Sequence, residues 1–551
     1  MNRRDFIQLG AIAGAIGSAG GSGNVMAATT AKTRGFTIVE ASVADLQTAM
    51  QSGKLTSQQL VKLYLSRIRA IDKAGPRINA VIEINPDALS IAKALDAERK
   101  AKGPRGPLHG IPILLKDNIA TADKMQTTAG SLALIGAKPP RDAFLVTKLR
   151  EAGAVILGKT NLSEWANMRS TRSTSGWSAR GGLTLNPYAL DRNTSGSSSG
   201  SGAAIAASLA CIAVGTETDG SIISPAQVNG LVGLKPTLGL ISRNGVVPIA
   251  HSQDTAGPMA RTVADAAVLL SAMAGVDARD PATADAQGKA QDYTKFLDAG
   301  GLKGARIGVV RANFGGRNDL VSAVIEEALK ALTAAGAVLV DPVELPNTAK
   351  YSQTEYEVLL YELKADMAAY LAEFAPGSNI KTLKDIIDFN ERNRASELPF
   401  FGQEHFLRAE AKGGLDSKEY LDALANNQLY SRAEGIDKVL KEHRLDALVA
   451  PSGGPAWLID FIKGDASGGG FSAPAAVAGY PHITVPAGNV FGLPCGISFV
   501  GTAWSEPTLI RLAYAFEQAT RHRRAPTFAK SVNRMPAYSA VANIGDRELP
   551  R

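Results

Sequence analysis

The chain of 551 residues is 45% hydrophobic and 20% charged, the balance of a folded soluble protein, which excludes a largely disordered one. Its formal charge of +7, from 59 basic and 52 acidic side chains, comes with no arginine-rich block interleaved with aromatics, so nucleic-acid binding has no support. Two cysteines and six scattered histidines offer no metal-ligand cluster in the sequence, and neither a metal nor a cofactor is expected.

Residues 1–27 place Arg3, Arg4, Asp5 and Phe6 ahead of a weakly apolar Gly/Ala-rich stretch that closes on Val25-Met26-Ala27, a small-residue cleavage pattern. That order reads as a twin-arginine signal peptide, which predicts a mature chain from residue 28, export and a periplasmic location. No later stretch has the roughly 18 continuous apolar residues of a membrane span, so no membrane insertion is expected after cleavage. A disulfide between Cys211 and Cys495 is chemically open in that compartment. Cys211, however, falls in an alanine-rich apolar stretch read as helix, where a buried free thiol is the commoner state.

Residues 43–68 carry apolar side chains at helical spacing, with Thr56 and Ser57 as candidate caps, and Ile78–Ile84 reads as a strand. "GIPILLKDNIA" follows as a short apolar strand ending on Lys116. "FLVTKLREAGAVILGKTN" then gives a helix, a glycine stop at Gly153 and a strand from Ala154 to Leu157. From about 281 to 440 the helices grow longer and more charged, with strands at "ARIGVV" and "AVLVDPV". The last part returns to strands at "DALVAPS", "HITVPAG" and "GLPCGISFVG" and ends in a helix near Thr508–Thr520. Alternating helix and strand predict an α/β sheet covered by helices. Without a linker or repeat, residues 28–551 are expected to form one domain.

"NTSGSSSGSGAAIAASLA", Asn193 to Ala210, is the least ordinary stretch. A linker would be flanked by breakers, whereas one of the most apolar parts of the chain follows at once. A phosphate loop of the common type would need Gly-Lys-Ser/Thr after the glycines. Gly196 to Gly200 does match G-x-S-x-G, which would make Ser198 the nucleophile of a Ser-His-Asp esterase. That elbow requires an apolar strand before the serine, and "NPYALDRNTS" is not one, although His251, His405, His443, His482 and His522 all follow. A second serine, Ser221, closes the polar turn Thr218-Asp219-Gly220. Successive backbone N–H groups in such a turn suit an oxyanion, and a serine beside them is placed to attack a carbonyl. Its base would be Lys116, since burial disfavours an ammonium and moves its pKa toward the range useful to a general base.

"GIPILLKDNI", "GKTNLSEW" (Gly158 to Trp165), the serine-glycine run, "GTETDGSI" and "GLKPT" occur in the order found in the amidase signature family, and cover residues 110–242. "ALVAPSGGP", "AAVAGYPHITVPAG" and "GLPCGISFVG" carry the resemblance to about residue 500. It implies a large mixed β-sheet covered on both faces by helices, with a Ser-Ser-Lys triad. Residue by residue, the base falls on Lys116, the bridging serine, held after a cis peptide bond, on Ser197, and the nucleophile on Ser221. The oxyanion donors fall on the N–H groups of Thr218, Asp219, Gly220 and Ser221. Gly196 and Gly200 would let the backbone turn where a side chain would clash, while His109 and Lys159 are bystanders, packing or surface residues. Ile223 stands where many members have arginine, which disfavours the tRNA-dependent amidotransferase branch. "GTETDGSI" and "GTAWSEPTL" look most like bacterial peptide amidases, implying a peptide carboxamide or small-molecule amide as substrate, with fatty acyl and aryl amides as alternatives. An esterase or a non-catalytic peptide-binding protein is the alternative of another class.

Overall fold

The computed structural model describes residues 32–33, 36–313 and 319–534; the proposed signal, residues 1–27, lies outside them. All the described residues belong to one compact unit, residues 31–551. At its centre is an eleven-stranded sheet. In chain order its strands are β1 (Val81–Ile84), β2 (Pro112–Lys116), β3 (Val155–Thr160), β4 (Ile212–Glu217), β5 (Val232–Lys235), β6 (Thr255–Ala260), β7 (Arg306–Val309), β8 (Val338–Val340), β9 (Ala447–Pro451), β10 (His482–Val490) and β11 (Leu493–Val500). Across the sheet the order is β8-β7-β9-β11-β10-β5-β6-β4-β2-β3-β1. The β8/β7, β7/β9, β4/β2 and β2/β3 pairs are parallel and the others antiparallel, so the sheet is mixed.

Every residue of β2, β3, β4, β5, β6, β9 and β11 is buried, which requires helices on both faces. Three helices position the site: α1 (Ser199–Ala206), α2 (Ile223–Val228) and α3 (Thr348–Phe374). All eight residues of α1 are buried, so this short helix lies within the core and against β4.

Thr56 is the N-cap of helix Ser57–Arg67, forming a capping box with Gln59, and Ser57 is the first helical residue. Two expectations are corrected. The strand read as Ala154–Leu157 is Val155–Thr160, and Lys159 inside it is fully buried, the packing alternative of its reading. Its Nζ donates to Ile119 O at 2.6 Å and Thr127 Oγ1 at 3.0 Å, which satisfies an amine that burial has pushed down to about 8. The alanine helix stops at Ala206, because Ser208 adopts a left-handed φ of 56° and turns the chain into β4. Cys211 therefore precedes a strand, and both cysteines are free and buried. His109 is buried too, with Nε2 2.9 Å from Leu95 O.

The helical middle section is tied to the core by a buried ion cluster. Arg169, fully buried, bonds Glu164 and the Glu397 carbonyl, and stacks over Phe401 at 4.4 Å. The two carboxylates also accept from Ala179 N and Leu132 N. Arg169→Met leaves these buried carboxyls without their cation, and urea unfolding is expected to show a loss of about 3–5 kcal/mol.

Candidate active site

β2 and β4 lie side by side and parallel, with Leu115 opposite Val214, so both end at the same edge of the sheet. β2 ends on Lys116, and β4 runs directly into the turn 218–222. The fold thus brings together two segments a hundred residues apart, at the strand ends where open α/β sheets bind ligands. The serine-glycine stretch leads into α1 just beside them.

Lys116 has no exposed surface. Its Nζ lies 2.7 Å from Ser197 Oγ, 2.8 Å from Thr216 Oγ1 and 3.3 Å from Thr216 O. A neutral amine has two hydrogens and one lone pair. The two Thr216 oxygens take the hydrogens, and the lone pair is left for the Ser197 hydroxyl proton. Burial pushes Lys116 down to about 7, with Asp254 and Glu217 only partly opposing it. Asn118 Nδ2 donates to Thr216 Oγ1 at 3.0 Å and fixes the threonine.

Ser197 is fully buried and follows a cis peptide bond from Gly196. Its carbonyl accepts from Ser163 N at 3.1 Å, and Ser198 N donates to Ser221 O at 3.2 Å, which joins the two serine segments. Ser198 Oγ donates to Thr216 O at 3.1 Å and accepts from Thr216 N at 3.2 Å. That hydroxyl is committed to β4, and among the described residues no histidine bonds it. Ser195 Oγ pairs with Ser224 Oγ at 2.7 Å and Ser201 Oγ with Thr160 Oγ1 at 2.7 Å, so the run serves to satisfy polar atoms inside the core. The glycines sit where a side chain would clash, as expected. The left-handed residue here is Ser195, with φ 55°, whereas a Cβ on Gly200 would sit 2.3 Å from Ala80 O and 2.5 Å from Asn161 O. Gly200 is needed for close packing of α1 against neighbouring backbone.

In the turn, Thr218 and Ser221 are buried, Gly220 has φ 75°, and Asp219 is partly buried. Among the described residues, none of the N–H groups of Thr218, Asp219, Gly220 and Ser221 donates a backbone hydrogen bond. The turn is held by side chains instead. Glu217 Oε2 accepts from Ile222 N at 2.7 Å and Ile223 N at 2.9 Å, closing the loop onto the start of α2. Thr218 Oγ1 donates to Asp254, whose other oxygen accepts from Ile249 N and Ala250 N. Burial raises Asp254 to about 6. The structure thus brings Lys116 to Ser197 and backbone to backbone between Ser198 and Ser221. Among the described residues no hydrogen bond joins the Ser197 and Ser221 hydroxyls.

Several supporting residues escaped the sequence reading. Asn118, two residues after Lys116, and Thr216, in "GTETDG", are adjacent to expected site residues, and proximity was a usable signal. Lys235, the lysine of the "GLKPT" motif, was given no role there; it is fully buried and pushed down to about 8 by burial. One histidine does meet two carboxylates in space: ligand-type atoms of His251, Glu362 and Asp366 lie within 4.8 Å of one another. They form a hydrogen-bonded group, with His251 Nδ1 2.9 Å from Asp366 Oδ2.

A family model described as "Amidase" matches residues 59–510. A probable amidase of Arabidopsis thaliana is 45% identical over 503 residues, 90% of this chain and 92% of that one. The crystal structure of native peptide amidase from Stenotrophomonas maltophilia superposes with a TM-score of 0.85 at 54% identity, covering 89% of this chain and 99% of that one. A peptide amidase in complex with the competitive inhibitor chymostatin gives 0.86 at 54% identity, over 88% and 99%.

Proposed function

Since the chain belongs to the amidase family, we propose that it hydrolyses the C-terminal carboxamide of peptides to the acid and ammonia, with Lys116, Ser197 and Ser221 as the catalytic residues. The observation that carries this reading is a fully buried lysine whose Nζ lies within hydrogen-bonding distance of Ser197 Oγ and of both Thr216 oxygens. Ser221 Oγ attacks the carboxamide carbon while its proton passes to Ser197 Oγ, and the Ser197 proton passes to Lys116 Nζ. The carbonyl oxygen gains the negative charge and is held by the N–H groups of residues 218–221. Return of the proton through Ser197 to the nitrogen breaks the C–N bond and releases ammonia, leaving an ester on Ser221. Water, deprotonated by the same relay, attacks the ester and frees the acid. The Ser197–Ser221 contact closes when substrate is bound, as catalytic hydrogen bonds commonly do.

The choice of a peptide carboxamide is supported by the likeness to peptide amidases at 54% identity. Purified protein is expected to release ammonia faster from an amidated dipeptide than from a fatty acyl or aryl amide. The opposite ranking overturns the substrate class, and no release from any of the three overturns the activity. We also infer export through the twin-arginine route, on the sequence of residues 1–27. N-terminal sequencing of the periplasmic protein should begin near residue 28, and Arg3→Lys with Arg4→Lys should leave it in the cytoplasm. Among the described residues no helix is long and apolar enough to cross a membrane.

A further inference from the structure

We propose that Glu355, on α3, is a positioning residue for the oxyanion turn: its carboxylic acid donates a hydrogen bond to the Asp219 carboxylate and clamps the turn to the helical middle section. The inference rests on reading residues 218–221 as the oxyanion site.

The clamp has three points of grip. Asp219 meets Glu355 and also Ser472. Gln253 Nε2 donates both to Glu355 Oε1 at 3.0 Å and to Thr218 O at 3.3 Å, so one amide bridges the helix and the turn backbone. Thr218 Oγ1 is tied to Asp254 in the same loop as Gln253. Two turns further along α3 Glu362 accepts from Ser252 N at 2.9 Å, and three turns further Asp366 accepts from His251 N at 2.8 Å. The helix therefore holds the loop 249–254 at a second place, and that loop braces the turn.

Two carboxyl groups in contact and shielded from water resist ionising together, so they hold one proton between them more tightly than either would alone. It resides on Glu355, which burial and the Asp219 charge together push well above the ordinary carboxyl range. Burial also raises Asp219, less strongly. The surrounding groups come from several elements: Lys235 of β5 faces Asp219, Glu217 of β4 adds a like charge, and Tyr351 lies one turn before Glu355 on α3. As pH rises through the Glu355 value the proton is lost. Two adjacent negative charges then remain, which loosen the turn and repel the oxyanion forming beside Asp219. The clamp acts below that pH and fails above it, so it sets an alkaline limb on kcat. Lys235 loses its charge in the same direction, and replacing Glu355 alone separates the two.

The test is kcat and KM for ammonia release from an amidated dipeptide between pH 5 and about 10.5, for the wild type, Glu355→Gln and Glu355→Ala, each shown folded by circular dichroism. Glu355→Gln still donates an N–H to Asp219 but has no proton to lose, and its alkaline limb should move up by more than about one pH unit. Glu355→Ala should lower kcat about tenfold at the wild-type optimum with KM changed less than about twofold, and Gln should rescue most of that loss. If Glu355→Ala does not fold, Asp219→Asn, which removes the second charge, should move the alkaline limb in the same way. A Gln variant whose alkaline limb superimposes on the wild type's, or an Ala variant with wild-type kcat, overturns the clamp. Wild-type protein that releases no ammonia overturns the amidase reading itself, whereas Ser221-dependent turnover with an unmoved limb overturns the clamp alone.

Discussion

Ser221→Ala lowers kcat for ammonia release by about 10⁴- to 10⁶-fold, the usual range for loss of an essential nucleophile. The fold should survive, because within the described residues the Ser221 hydroxyl makes no hydrogen bond whose loss would strand a buried partner. The backbone N–H groups of the turn also survive, so the variant should still bind the dipeptide amide, and some acceleration over water should remain. The informative comparison is Ser198→Ala. Ser198 Oγ bonds both Thr216 O and Thr216 N, and its removal loosens the threonine that orients Lys116. Turnover should fall, yet mass spectrometry of protein quenched with a slow aryl amide should still find the acyl group on Ser221. If Ser221→Ala keeps kcat within about threefold of wild type, or if the acyl group is found on Ser198, the nucleophile has been misassigned.

Lys116→Met should be nearly as damaging, by about 10³-fold or more, because Ser197 then faces a thioether that accepts no proton. Lys116→Arg should not rescue it: a guanidinium stays protonated and is the wrong shape for three contacts on one nitrogen. In the wild type the acid limb of kcat/KM reports the same group. Lys116 is held at about 7 by burial, is charged below that pH and lacks the lone pair that Ser197 needs. Activity therefore rises with pH through the neutral range. A flat profile from about pH 5 to 9 rules out a lysine base.

How much of this was legible depends on whether the signal was local. Lys116 stood out because a charged residue closes the apolar run "PILLK", and Ser221 because a glycine turn separates two apolar segments. The choice between Ser197 and Ser198 was not available from their own residues, which are chemically identical neighbours. Only the fold separates them, by aiming one hydroxyl at Lys116 and the other at Thr216. The family resemblance supplied that choice from outside. A side-chain clash was expected at Gly196 and Gly200, but the atoms that a Cβ on Gly200 would meet, Ala80 O and Asn161 O, belong to residues remote in sequence. Glu355 and Gln253 were invisible for the same reason: nothing near either of them in the chain points to Asp219. Sheet order is a still longer-range property. Lys235 of β5 lies opposite His482 of β10, and no periodicity in either strand encodes the other.

That last pairing has a consequence for how the chain is made. Lys116, Ser197 and Ser221 lie on a wing of the sheet built from β1 to β6, all of which have been synthesised by residue 260. The β5 edge of this wing has its partner only when residues 482–484 emerge, since β10 is what joins it to the other wing. Through the making of the whole middle section, a growing chain therefore carries an open strand edge, Val232–Lys235, whose residues are all buried in the finished protein. A chain truncated before β10, even with all three candidate catalytic residues present, should associate through that edge rather than accumulate as a small working enzyme. Completion of the sheet, and not the appearance of its chemistry, is the event that makes the protein.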